Sequence, residues 1–194
     1  RAMSENFGIA AEEAYDYIAK GAQEGLDYSG ELLDSISEYS VQFAKLGFSA
    51  DDMFSIFAQG AENGAWNLDK IGDAVKEFSV RAIDGSESTK AGFEAIGYDA
   101  EDMTKKFAQG GDVARDAFRT VVKALGDMSD PIAQNTAGVN LFGTMWEDLG
   151  ADAVKALGEI SDEAYSCEGA VDELAQTGYG SLSDAIEGLK RQAE

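Results

Sequence analysis

The middle of the chain is written twice. Leu46-Gly47-Phe48-Ser49-Ala50-Asp51-Asp52-Met53, closing on Phe57-Ala58-Gln59-Gly60, recurs 50 residues later as Ile96-Gly97-Tyr98-Asp99-Ala100-Glu101-Asp102-Met103, closing on Phe107-Ala108-Gln109-Gly110, with eight of fifteen aligned positions identical. The register continues outward: Phe43 falls on Phe93, and Leu68, Ile71, Val75 and Phe78 fall on Phe118, Val121, Leu125 and Met128. A constant offset held by apolar positions through helical patterns marks a duplicated structural unit.

Helical signals surround this core. Ala10 to Gln23 reads as a helix with Ala14, Ile18 and Ala22 spaced by four. Ser29 precedes a second, with Ile36, Tyr39, Phe43 and Leu46 on one stripe and Gly47 as its stop. Ser49 and its counterpart Asp99 are expected N-caps, each followed by acids that suit the positive helix end. A further helix is expected from about Asn67 to Arg81, and the second copy opens near Thr89 after a turn cluster at 84–88. Asp130-Pro131 predicts a cap with proline in the first turn, opening a helix that reaches Phe142 and stops at Gly143. Trp146, Leu149 and Gly150 make a fading third echo, and two acidic helices are expected at about 162–176 and 181–192, joined by Thr177-Gly178-Tyr179-Gly180. No alternating β-branched run reaches five residues, so the expected class is all-α. The expected organisation is N-terminal helices over 1–45, the duplicated repeat over 43–128 (copies 43–85 and 93–128) and C-terminal helices over 129–194, forming one continuous globular region.

Composition narrows the chemistry. The 194 residues contain no histidine and one cysteine, Cys167, so His-based general bases, His-activated nucleophiles and His-containing zinc sites are excluded, as is an internal disulfide. A net charge of −22 works against nucleic-acid backbone. No apolar run approaches the ~20 residues of a membrane span, and the opening Arg1-Ala2-Met3-Ser4 lacks the apolar core of a signal peptide. The expectation is a piece of a longer chain working in a cytoplasm-like space or in an assembly built there.

Several groups invite a functional reading. Asp51-Asp52 and Glu101-Asp102 resemble metal ligands or an acid/base pair, but helix neighbours do not share a face and first-turn acids already have a dipole reason to be there. Lys105, Lys106, Arg115, Arg119 and Lys123 gather the positive charge, the last three at spacing four on one helix face. They could form a contact face for an acidic protein partner, or pair locally with Asp112 and Asp116 on a solvated surface. Trp66 and Trp146 read as core-filling residues, Cys167 as a passive one, and the Gly178/Gly180 pair lacks the strand context of a phosphate loop. No catalytic residue, metal or cofactor is expected.

The ordered blocks Glu38-Tyr39-Ser40-Val41-Gln42-Phe43, Leu46 to Met53, Gly60-Ala61-Glu62-Asn63-Gly64-Ala65-Trp66-Asn67-Leu68-Asp69-Lys70, Gly72 to Phe78 and Leu141-Phe142-Gly143-Thr144-Met145-Trp146-Glu147-Asp148-Leu149-Gly150 resemble a segment of phage tail tape measure proteins. The resemblance covers roughly residues 10 to 160. It implies a structural, non-enzymatic piece of a virion tail protein that sets tail tube length and assists genome delivery, assembled in the bacterial cytoplasm. The implied partners are tail tube, tail assembly chaperone and distal tail proteins, with self-association open and no specific nucleic-acid binding. An acidic helical adaptor that binds a protein partner is the alternative, and a cell-wall hydrolase domain a third with no positive sign. One continuous helix of 194 residues would span roughly 290 Å. Gly25, Gly30, Gly47, Gly60, Gly72, Gly97, Gly110, Gly111, Gly126, Gly143 and Gly150 are expected to interrupt any such rod, giving a compact bundle or short solenoid.

Overall fold

Side-chain caps mark the starts of five of the described helices. The computed structural model describes residues 1–65, 67–159, 165 and 167–176, the side chains of 174–176 excepted. Among them the elements are α1 (Ala2–Phe7), α2 (Ala11–Gln23), α3 (Leu32–Lys45), α4 (Ala50–Glu62), α5 (Leu68–Arg81), α6 (Glu87–Ala95), α7 (Ala100–Gln109), α8 (Gly111–Asp127), α9 (Pro131–Phe142), α10 (Met145–Leu149), α11 (Ala151–Ala156) and α12 (Ala170–Gln176), with no strand among the described residues. The chain is all-α. Trp66, residues 160–164 and 166, and the stretch 177–194 with its expected helix and its Gly178/Gly180 pair lie outside the described residues.

Ser49 closes a capping box on α4: its side chain accepts from the Asp52 N–H, and the Asp52 carboxylate accepts from the Ser49 N–H. Asp99 accepts from the Asp102 N–H at 2.8 Å, Asn67 from Lys70, Ser86 from Thr89, and Asp130 from Ile132 and Ala133 with Pro131 in the first turn. Helix α3 begins three residues after Ser29, as expected, and its first turn is held by a more distant residue. Asp27, not Ser29, accepts the Leu32 N–H. The two copies also stop their first helix identically: Gly47 and Gly97 take φ of 78° and 88°, Phe48 and Tyr98 donate back to Phe43 and Phe93, and Gly47 and Gly97 donate to Ala44 and Glu94. This is the six-to-one and five-to-two hydrogen-bond pair of a glycine-terminated helix.

The copies bury their stripes into one core. Phe43, Phe93, Met53, Met103, Phe57, Phe107, Phe78 and Phe118 are all buried, and Met128, the counterpart of Phe78, is half-buried. Phe78 sits at the centre, with ring centroids 5.0, 5.1 and 4.9 Å from Phe107, Phe118 and Phe142, within the range where edge and offset contacts add to burial. Phe48 of the first copy meets Phe118 of the second edge-on at 5.2 Å. The third echo seals the arrangement: α11 packs on both α4 and α8, while α9 packs on α5 and α6 and α10 on α5. Cross-packing of this kind makes a bundle rather than a linear stack of repeats.

Three glycines named as breaks are not breaks. Gly60, Gly72 and Gly126 lie inside α4, α5 and α8. A Cβ at Gly60 would stand 2.5 Å from Ile71, and one at Gly72 2.2 Å from the Tyr39 ring. These positions are small so that another helix can come close. Tyr39 lies across Gly72 and donates its hydroxyl to Asp69 at 2.9 Å and Asp73 at 3.0 Å, which fixes the ring where the methyl would go. Gly72→Ala therefore gains about 1 kcal/mol of helix propensity and loses more to overpacking, about 1–3 kcal/mol or above. The expected net outcome is a lower urea midpoint with unchanged slope, in spite of alanine being the better helix former.

Candidate functional site

The most tightly built polar site lies where the two copies meet. Asp52, in the first turn of α4, is 6% exposed as a side chain, and Arg115 of α8 reaches it with both arms of its guanidinium: Nη2 to Oδ1 at 2.8 Å and Nε to Oδ2 at 3.0 Å. The fork matches the two carboxylate oxygens, which gives the contact both strength and direction. Oδ2 also accepts the Ser49 N–H at 2.9 Å, so one carboxylate closes a helix cap and joins the two repeats. Beside it the backbones touch. A Cβ at Gly47 would lie 1.9 Å from the Gly111 carbonyl oxygen, and one at Gly110 would lie 3.5 Å from that of Lys45.

Asp51, the neighbour of Asp52, looks elsewhere. Its Oδ1 accepts the Tyr165 N–H at 2.9 Å, tying the C-terminal region to α4. The adjacent acids thus serve two different joints. Their counterparts Glu101 and Asp102 are exposed and pair within their own helix, with Lys105 at 2.6 Å and Lys106 at 2.8 Å. Ile56 explains the divergence: it is fully buried in α4, and Lys106 in its place in α7 supplies the charge that Asp102 would otherwise lack.

The five basic residues therefore occupy different settings. Lys105, Lys106 and Lys123 pair one turn away with Glu101, Asp102 and Asp127. Arg115 holds Asp52, 63 residues earlier, and Arg119 lies on the same helix one turn on. Arg115 aligns with Ala65 in the first copy, so repeat comparison marks it as new to the second copy without disclosing its partner. Among the described residues no three His, Cys, Asp or Glu side chains are placed to hold a metal ion, and no helix is long and apolar enough to cross a membrane.

The phage-related minor tail protein family matches residues 1–143, which contain both copies and the joint between them. The chain belongs to that family. It is 39% identical over 175 residues to the probable tape measure protein of Streptomyces phage phiC31, an alignment covering 86% of this chain and 24% of that protein. The chain thus spans about a quarter of the length of this relative. No solved structure matches it. The joint lies within the span that the family model matches, whereas Tyr165, Cys167 and α12 fall beyond it.

Cys167 of the minor tail chain is buried, and burial, followed by the charges of Asp16, Asp51 and Glu13, pushes its thiol up to about 11. The reactive species is the thiolate, which is scarce there at neutral pH. Alkylation of the native chain is expected to keep accelerating about tenfold per pH unit through pH 10, whereas in denaturant the rate should level off near the ordinary thiol value of about 8.5. A native profile that plateaus near 8.5 contradicts this environment.

Proposed function

We infer that this chain is a compact, non-catalytic segment of a tail tape measure protein. It is assembled in the bacterial cytoplasm and carried in the virion tail against tail tube and distal tail proteins, with assembly chaperones as earlier partners. The observation that carries this reading is the 39% identity to a tape measure protein across 86% of the chain. Helix length favours a compact part of that protein over an extended ruler. The longest described helix, α8, has 17 residues and spans about 25 Å, so the segment adds bulk rather than reach. A net charge of −22 suits a body that lies near DNA during delivery without adhering to it. Within this reading the α7–α8 surface with Lys105, Lys106, Arg115, Arg119 and Lys123 is the contact face for an acidic tail partner, Arg115 contributing from its place on Asp52.

In-frame deletion of the segment from the phage gene, followed by electron microscopy of the particles, tests the reading. The expected result is a defect in tail completion or infectivity, with completed tails shortened by far less than the roughly 290 Å of an extended helix. Tails uniformly shorter by that full amount would make the segment part of the ruler, and normal infectious particles would remove its structural role.

A further inference from the structure

The C-terminal part of the described chain is fastened to the bundle in an unusual way. The Tyr165 ring stacks on Tyr17 at 6.2 Å and lies 5.4 Å from Phe54, and its hydroxyl donates to Glu24. Its N–H goes to Asp51, and the N–H groups of Gly169 and Val171 go to the two oxygens of Asp16 at 3.3 and 3.0 Å. Cys167 and Ala170 are buried beneath, and α12 packs on α2.

Among the described residues, the polar anchors on the body side are side-chain carboxylates of α2, of the residue that caps it, and of α4, and none is a backbone group of the bundle. Releasing these contacts therefore breaks no helix ladder in the bundle. The buried stripes of α2 and α4 keep Tyr17 and Phe54 in place through their own neighbours, Phe54 lying 6.5 Å from Phe57 in the core. The joint between the repeats is different, because there backbone meets backbone at Gly47 and Gly111. Regions with few buried apolar contacts open below the global unfolding transition.

We propose that the segment bearing Tyr165, Cys167 and α12 is a strap that leaves and regains the α2–α4 face as a separate cooperative unit, uncovering Tyr17 and Phe54 while the two repeats stay folded. Tyr165 is its latch and Asp16 its second hold.

Cys167 is the single thiol of the chain, so its labelling reports the strap directly. The test measures labelling by an aromatic disulfide reagent at pH 8 across low urea concentrations, beside global unfolding followed by circular dichroism. Labelling through strap opening is nearly flat in urea below the main transition, because little surface is exposed. Tyr165→Ala should raise the native labelling rate about tenfold or more, through loss of two aromatic contacts, and leave the dichroism midpoint in place. Asp16→Ala should act in the same direction and by less, which keeps the test open if the first variant fails to fold. Labelling that rises with urea in parallel with global unfolding overturns the proposal, as does a midpoint that falls in step with the labelling gain in both variants.

Discussion

Gly47→Ala should unfold this protein at a markedly lower temperature, and Gly97→Ala should lower the midpoint by only a few degrees. The two glycines occupy equivalent positions, with φ of 78° and 88° and the same hydrogen bonds around them. Left-handed backbone costs an alanine about 1–2 kcal/mol at either site. At Gly97 that is the whole effect, since nothing lies within 4 Å of the added carbon. At Gly47 the carbon would sit 1.9 Å from the Gly111 carbonyl oxygen, a backbone atom that cannot rotate away. Relief requires the second copy to lift from the first, which places the total above about 4 kcal/mol, in the range of the most damaging single substitutions. For a chain of this size each kcal/mol moves the midpoint about 2–4 °C, so calorimetry should separate the variants by roughly 10 °C. Equal shifts would mean that the two copies do not meet at this point.

The second large effect belongs to Arg115. Removing its side chain leaves Asp52 buried with a charge that only the Ser49 N–H addresses among the bonds described above, and stranding one member of a buried pair typically costs about 3–5 kcal/mol. Arg115 keeps 24% of its side chain exposed, so the lower end, about 3 kcal/mol, is expected for Arg115→Ala. Arg115→Lys should recover less than half, since an ammonium cannot span both oxygens. Lys106→Ala, which breaks an exposed pair of similar length, should fall within about 0.5 kcal/mol. Denaturant midpoints of the three variants decide the matter. If Arg115→Ala and Lys106→Ala cost the same, the Asp52 contact is a surface pair and not a joint.

Much of the fold was legible because its punctuation is local. Ser49, Asp99, Asn67 and Asp130 announce their helices through side chains acting within three residues, and Gly47, Gly97 and Gly143 end theirs by backbone conformation alone. The apolar stripes were legible by their spacing. Interior glycines were not, because Gly60 and Gly72 answer to Ile71 and Tyr39, and only one of those lies near in sequence. Helix α1 is six residues long, too short for periodicity to register, and it holds on through Met3. The site depended on distance in the same way. Asp51 and Asp52 suggested paired chemistry by adjacency, yet one faces Tyr165 and the other Arg115, 114 and 63 residues away. A local pattern identifies an acid in a first turn and says nothing of which distant chain segment comes to meet it.

The wedging of α11 between α4 and α8 limits how this part of the protein can evolve. A tandem unit that stacked end on end could be lengthened by copying, each new copy offering the same landing surface as the last. Here the closing helix occupies that landing surface, and the second copy has already exchanged its buried isoleucine for a lysine that satisfies its own acid. The packing of this body thus works against its lengthening by whole copies.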